Sequence, residues 1–266
     1  MTRILVFFGC AALFLSSCVP AKKLVYLQKD DLKKRNEIPK DTILRSHTLD
    51  IQEYRIQPLD ILSINFETLS EENDAFDFLS KLTPQTRASG GSSAVNAAQN
   101  GILVNTEGEI EYAVLGKINL SGLTLFQAQD TIKKHASRYL PDVIVRVRML
   151  NFRYTLLGEV NSEQTVISAN TRLTFMEAIA QAGGLGELAD RSHVKVVRQN
   201  GNQADIFYVN LLKEDYIESK YFYIQQNDVI IVPPLKQRTF RRYFTGNLAM
   251  ITSAISFGVL IFALSK

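Results

Sequence analysis

The sequence predicts an α+β fold of two small β-rich modules, each packing one helix, followed by a membrane-spanning helix at the C-terminus. Three observations support this prediction. Alternating, strand-like sequence is interrupted twice by a helix that starts with a capping box, at Thr124 and at Thr174. Short motifs recur in the two stretches, which indicates related modules. An apolar run, residues 247–264, ends the chain.

The N-terminus has the composition of a secretory signal that ends in a lipidated cysteine. Arg3 precedes an apolar run, and the small residues Ser16 and Ser17 come directly before Cys18. Removal of residues 1–17 would make Cys18 the first mature residue, and a diacylglycerol thioether with a further acyl chain such as palmitate would anchor it. The alternative is an ordinary secretory signal with an incidental cysteine. Residues 18–46 are then a polar, charged tether.

The first module covers residues 47–150. Tyr54–Phe66 alternates apolar and polar residues around a proline turn, which predicts a strand, a turn and a second strand. Residues 67–101 are small and polar and are expected to be a mobile insertion. Short strands follow between Ile102 and Asn119. Thr124 then opens a helix that Pro141 ends, and the last strand alternates so that one face is apolar, formed by Val143, Val145, Val147 and Met149.

The second module covers residues 151–235 and follows the same plan. A helix capped by Thr174 runs to Ala182, and Gly183 and Gly184 end it because glycine tolerates a left-handed conformation. Five strands are predicted around this helix: Tyr154–Val160, Thr165–Ile167, Val194–Arg198, Ala204–Val209 and Val229–Val232.

A similar turn sequence occurs in both modules. Gln57-Pro58-Leu59-Asp60 before one strand corresponds to Gln225-Gln226-Asn227-Asp228 before another. We interpret Asp60 and Asp228 as structural residues that accept backbone amide hydrogen bonds in these turns, because turn aspartates commonly do so. Each module is too small to bury much apolar surface alone, which favours packing on its neighbour or on another copy of the chain.

The C-terminus predicts a membrane attachment. Residues 236–246 form a basic linker, and its members at the membrane interface are Arg238, Arg241, Arg242 and Tyr243. Residues 247–264 would make about 27 Å of helix, enough for a thin outer membrane. One side of this helix carries small residues expected to line a pore or pack on neighbouring helices: Ala249, Thr252, Ser253, Ser256 and Ala263. A single anchoring helix, or one buried in a protein core, is the alternative.

Composition argues against several functional classes. The two cysteines are Cys10, within the signal, and Cys18, so thiol catalysis, disulfides and cysteine-ligated zinc are excluded from the mature body. A net charge of +3 gives little reason to expect a nucleic-acid partner. His47, His135 and His193 are isolated in the sequence. No nucleophile elbow or phosphate loop occurs, and no carboxylate pair stands out. We therefore expect no enzyme activity, metal or cofactor.

In sequence and in their order along the chain, these motifs resemble those of the outer-membrane polysaccharide export lipoproteins of Gram-negative bacteria, the Wza-like family. Tyr54–Ile64 and Gly116–Val147 are similar to its polysaccharide-export domain. Leu157–Arg198 resembles its β-grasp ligand-binding (SLBB-like) domain, and Ile224–Pro234 the closing strand. The family usually has glycine before the turn aspartate, whereas this chain has leucine and asparagine.

The resemblance implies a homo-oligomeric ring that exports a capsular or exopolysaccharide across the outer membrane. Its implied partners are the polysaccharide, copies of the same chain, outer-membrane lipid, and an inner-membrane polysaccharide co-polymerase or export kinase assembly. The chain would be lipid-anchored at the outer membrane with most of its residues in the periplasm. Two alternatives remain: a periplasmic glycan-binding or scaffolding lipoprotein whose helix anchors it without forming a pore, and a glycan-processing enzyme.

Overall fold

The computed structural model describes residues 20–29, 42–67, 101–112 and 114–238, with the separate positions 247, 250, 253, 256–258 and 260–261. The predicted signal peptide, Cys18 and nearly all of the insertion lie outside the described residues, as do Arg241, Arg242, Tyr243, Ala249, Thr252 and Ala263.

The first module is built from two antiparallel sheets and one helix. The larger sheet has the order β2-β1-β5, and β3 and β4 form a separate hairpin. Helix α1 packs on β5. The elements are β1 Ile61–Glu67, β2 Ile102–Leu103, β3 Glu109–Tyr112, β4 Gly116–Asn119, α1 Leu125–Ala136 and β5 Ile144–Met149.

The second module is a five-stranded sheet with one short helix, and its strand order is β7-β6-β10-β8-β9. All neighbours are antiparallel except β6 and β10, which run parallel. The elements are β6 Arg153–Gly158, β7 Gln164–Ile167, α2 Phe175–Gln181, β8 Val194–Asn200, β9 Gln203–Val209 and β10 Val229–Val232. Short 3₁₀ helices lie at Ala21–Lys23 and Glu214–Glu218.

One glycine makes the parallel pairing possible. Gly158 ends β6 with φ +96°, and a Cβ atom there would lie 2.2 Å from the carbonyl oxygen of Val232 in β10. Any side chain would therefore force the two strands apart at this point.

Both predicted capping boxes are confirmed. The hydroxyls of Thr124 and Thr174 accept a hydrogen bond from the backbone N–H three residues on, and the side chains of Gln127 and Glu177 accept one from the threonine N–H in return. The predicted face of β5 is confirmed as well: Val143, Val145, Val147 and Met149 are buried, whereas the arginines between them are exposed.

The prediction of a C-terminal membrane-spanning helix at 247–264 is wrong. No helix among the described residues is long and apolar enough to cross a membrane. A spanning helix needs about 20 consecutive apolar residues, whereas α1, the longest of the helices bounded above, has 12. The fold class is thus corrected to a mixed α/β body of two modules. The pore-lining or helix-packing role predicted for the small residues of 247–264 depended on that helix and therefore loses its basis.

Candidate functional site

The repeated turns have the same hydrogen-bond pattern in both modules. The carboxylate of Asp60 accepts from the backbone N–H of Gln57 at 2.8 Å, and that of Asp228 accepts from Gln225 at 2.8 Å. The residue before each aspartate is left-handed, with φ +71° at Leu59 and +64° at Asn227. The absence of glycine therefore does not change the turn, although leucine pays a steric cost for this conformation.

The two buried carboxylates have different partners. Asp60 accepts a hydrogen bond from the Tyr54 hydroxyl at 2.7 Å. Burial raises the pKa of Asp60, although its bonds from Gln57 and Tyr54 oppose the shift, and burial also raises the pKa of Tyr54. Asp228 instead forms a two-point pair with Arg198, at 2.9 Å from Nε and 2.7 Å from Nη2. The carboxylate of the first turn is thus hydrogen-bonded by a neutral phenol, and that of the second turn by a guanidinium cation.

Asn151 joins the two turns at the junction between the modules. Its side-chain oxygen accepts from the N–H of Ile61 at 2.9 Å, and its side-chain nitrogen donates to the carbonyl of Leu59 at 3.1 Å. Its own carbonyl accepts from the side-chain nitrogen of Gln226 at 2.8 Å. Gln226 in turn accepts from the N–H of Arg153 at 2.8 Å. The junction is therefore fixed by hydrogen bonds to both repeated turns.

An open cleft of about 520 Å³ lies beside this junction, and we call it the inter-module cleft. The segment that enters the first turn forms one wall, and the segment that enters the second turn forms the other. Amide, hydroxyl and charged groups are mixed with apolar ones along it. Its lining residues are Ile51, Gln52, Glu53, Tyr54, Arg55, Gln57, Thr171, Tyr223, Ile224 and Gln225.

The segment of residues 42–50, which we call the N-terminal strap, binds the 3₁₀ helix Glu214–Glu218 of the second module. Arg45 Nε lies 2.7 Å from Glu214 Oε1. His47 lies between two carboxylates, 2.5 Å from Glu214 and 2.7 Å from Glu218. These hydrogen bonds raise the pKa of His47, with that to Glu214 the larger cause, and the bond from Arg45 first and then that from His47 lower the pKa of Glu214 to about 2.

Residues further towards the N-terminus contact the same part of the second module. The N–H of Leu27 donates to the carbonyl of Leu211 at 3.2 Å, and Gln28 forms a parallel bridge with Lys213. The guanidinium of Arg191 lies 5.3 Å from the ring centre of Tyr26. The N-terminal segment that precedes the first module in the sequence therefore binds to the second module.

The remaining predicted site residues are separate from the cleft. Gly183 and Gly184 have φ +96° and +87° directly after α2, and the N–H of Gly184 donates to Ile179 at 2.9 Å. Arg238, predicted to lie at a membrane interface, forms an ion pair with Glu159 at 2.6 Å. Ser253 and Ser256 are helical positions with exposed side chains.

One local cluster has the residue types of a catalytic triad but the wrong arrangement. The hydroxyl of Ser192 lies 2.9 Å from His193 Nδ1, and a carboxylate oxygen of Asp190 lies 3.3 Å from the same nitrogen. A triad uses one ring nitrogen for the nucleophile and the other for the carboxylate. Among the described residues, no group of His, Cys, Asp and Glu is arranged to hold a metal ion.

Each of the two modules matches a known protein family. Residues 50–150 match the polysaccharide biosynthesis/export protein family, and residues 153–232 match the SLBB domain. The chain's two matched domains are those of the Wza-like polysaccharide export proteins. The resemblance drawn from the sequence motifs is thus confirmed, and Asn151 lies between the two matched regions.

Two curated relatives carry the same name, EPS I polysaccharide export outer membrane protein EpsA. The protein from Ralstonia solanacearum is 27% identical over 138 residues, and that from Ralstonia nicotianae is 29% identical over 113 residues. The alignments cover 50% and 41% of this chain but only 36% and 29% of the relatives. The chain therefore matches about a third of their length.

Three features of the structure could not be predicted from the sequence. His47 was treated as isolated because its partner Glu214 is 167 positions away in the chain. Asn151 was assigned no role, and its position between two predicted strands was the one available signal. The cleft was not expected, because residues 51–57 and 223–225 meet only after both modules fold.

Proposed function

We propose that this chain exports a capsular or exopolysaccharide across the bacterial outer membrane as a homo-oligomeric ring. The observation that carries the proposal is the tandem of an export domain and an SLBB domain, joined by the hydrogen bonds of Asn151. The curated relatives are named as polysaccharide export outer membrane proteins, which supports the same process here. A lipid on Cys18 holds the ring at the membrane, with most of the chain in the periplasm.

Open sheet edges support assembly of several copies. Among the described residues, β5 and β9 each pair on one side only, so the other side offers free backbone donors and acceptors. On β9, Ile206 is 62% exposed and Tyr208 60% exposed. An apolar edge strand is a ready site for association with another chain. We propose that a neighbouring subunit covers this edge.

In this proposal the ring is a passive conduit. An inner-membrane polysaccharide co-polymerase or export kinase assembly contacts its periplasmic end and supplies the energy of transport. Deletion of the gene tests the proposal directly. Polysaccharide on the cell surface should fall at least tenfold, and polymer should accumulate inside the cell envelope. Undiminished surface polysaccharide would overturn the proposal.

A second candidate is a periplasmic glycan-binding or scaffolding lipoprotein that forms no pore. The finding that favours it is that no spanning helix occurs among the described residues. Ion conductance of the purified, lipidated full-length protein in planar bilayers separates the two functions. Stable conductance from a ring-shaped oligomer supports export through the protein, whereas a non-conducting monomer supports the second candidate.

A further inference from the structure

We propose that the inter-module cleft is a saccharide-binding site that holds a short, hydroxyl-rich segment of the transported polymer. The inference rests on the proposed function for the identity of that polymer, and it adds the place and the residues of contact. It follows from the repeated turns, from the chemistry of the lining, and from the rigidity of the cleft walls.

The repeated turns present equivalent glutamines to the same cleft. Gln57 and Gln225 each lie three residues before the turn aspartate, and their backbone N–H groups are bound by those carboxylates. Both residues line the cleft. Within the described part of the chain, neither side-chain amide has a hydrogen-bond partner. Each amide offers donors and an acceptor, which suits sugar hydroxyls because a hydroxyl also both donates and accepts.

The other lining groups fit a saccharide better than a strongly charged ligand. Glu53 and Arg55 contribute one negative and one positive charge, and the Arg55 guanidinium already donates to the carbonyl of Gly122 at 2.7 Å. Thr171 and Tyr223 add hydroxyl groups, and Ile51, which is 50% exposed, adds an apolar surface. The lining thus has no surplus of charge for a phosphate or a polycation, and its polar groups are mostly neutral.

The size and rigidity of the cleft suit recognition of a few sugar units. A volume of about 520 Å³ lies within the range of about 300–1,000 Å³ typical of small-molecule sites. One wall is fixed by the hydrogen bond from Tyr54 to Asp60, and the other by the pair of Arg198 and Asp228. Asn151 ties the two turns together. A preformed site loses less entropy when a flexible polymer binds.

Binding can be measured with the native polymer as the source of the probe. The probe is a mixture of short oligosaccharides made by partial hydrolysis of the surface polysaccharide of the cells that carry this gene. Isothermal titration calorimetry with the lipidated full-length protein in detergent should detect binding. Gln57→Ala and Gln225→Ala should each weaken it about three- to tenfold, as expected for one lost hydrogen bond. The double variant should weaken it further.

The matched control is Gln203→Ala, which removes the same side chain from the exposed strand β9. This variant should bind like the wild type. Because the cleft glutamines have no internal side-chain partner among the described residues, their variants should keep the wild-type circular dichroism and melting temperature.

Two outcomes would overturn the cleft assignment: no binding by the wild-type protein, or a double variant that binds as tightly as the wild type. Gene deletion separates this failure from failure of the proposed function. If deletion abolishes surface polysaccharide while the wild-type protein binds no oligosaccharide, the export function stands and the saccharide site does not. If surface polysaccharide persists after deletion, the export function itself is refuted.

Discussion

At the scale of single residues, the two turn aspartates show that the buried carboxylate of one motif can be stabilised by two different partners. Asp60 is 2% exposed and Asp228 is fully buried, and both fix the backbone of a turn. The phenol of Tyr54 needs no charge balance, so the first turn contains no buried cation. The second turn buries Arg198 with its aspartate, and Arg198 also packs 5.3 Å from the ring centre of Phe207.

Replacing the aspartate should therefore cost more in the second turn than in the first. Asp228→Ala leaves the Arg198 charge buried without its partner, and we expect a loss of about 3–5 kcal/mol in the free energy of unfolding. Asp60→Ala leaves only neutral donors unpaired and should cost about 1–3 kcal/mol. Urea unfolding followed by circular dichroism measures both. The exposed control Asp205→Ala should stay within about 0.5 kcal/mol of the wild type, and equal losses at the two turns would contradict this account.

The left-handed conformation of Leu59 predicts a stabilising substitution. A non-glycine residue in this region costs about 1–2 kcal/mol, and the Leu59 side chain is 62% exposed, so little apolar packing is lost on its removal. Leu59→Gly should raise the free energy of unfolding by about 0.5–1 kcal/mol after the entropy of glycine is subtracted. Leu59→Val, with a branched Cβ, should lower it. Thermal unfolding of the two variants checks the sign, and a destabilised glycine variant would refute the prediction.

At the scale of elements, the short helix α2 depends on its cap. It has seven residues, and Phe175, Ala178 and Ile179 are buried. Isolated helices of this length do not persist in water, so the helix is held by its packing and its ends. The C-terminal end is closed by Gly183 and Gly184, and the N-terminal end by the side chains of Thr174 and Glu177.

Removing this cap should have a measurable cost. Thr174→Ala eliminates the acceptor for the N–H of Glu177, and we expect a loss of about 1 kcal/mol in unfolding free energy. Thr131→Ala is the matched control, because its hydroxyl bonds to a carbonyl within α1 and caps no helix end. The control should be neutral or slightly stabilising. Similar losses for both threonines in chemical denaturation would argue against a capping role.

The N-terminal strap should bind most firmly in mildly acidic solution. The pKa of His47 is raised above its ordinary 6.5, so its contribution is complete below pH 6.5 and is lost as the pH rises through the raised value. The pKa of Glu214 is lowered from 4.5 to about 2, so its contribution is complete above pH 4.5 and is lost as the pH falls towards 2. The two effects overlap between about pH 4.5 and 6.5.

Backbone amide chemical shifts of residues 42–50, followed by NMR at several pH values, report the fraction of the strap that is bound through the side chains of Arg45 and His47. This bound fraction should decline above pH 6.5 in the wild type. In His47→Gln the decline should disappear, because that side chain does not titrate, while the arginine contact of Arg45 with Glu214 remains. A wild-type profile that is flat from pH 5 to 9 would show that His47 does not control the strap.

At the scale of the whole molecule, the sequence predicts local structure better than the contacts between distant segments. The caps at Thr124 and Thr174 were readable because capping depends on residues three positions apart. The parallel pairing of β6 with β10 and the pairing of His47 with Glu214 join segments far apart in the chain, and no local pattern marks them. The apolar composition of 247–264 predicted a spanning helix that the described residues do not contain.

Assembly of the proposed ring should depend on the open edge of the second module. Ile206→Lys places a charge on the exposed apolar edge strand β9 and should shift the lipidated protein from oligomer to monomer in native mass spectrometry. Phe126→Lys is the control, because Phe126 is 73% exposed on helix α1 rather than on a sheet edge. The control should assemble normally. A stable oligomer in the Ile206 variant would place the subunit contact elsewhere.

If Cys18 is lipidated, the attachment of residues 20–29 to the second module limits the distance between that module and the bilayer. Backbone hydrogen bonds hold Leu27 against Leu211, and the chain between Cys18 and Leu27 spans at most about 32 Å when fully extended. An acylated Cys18 would therefore keep the second module close to the membrane. The SLBB domain, although it comes later in the chain than the first module, would lie within a few nanometres of the lipid headgroups.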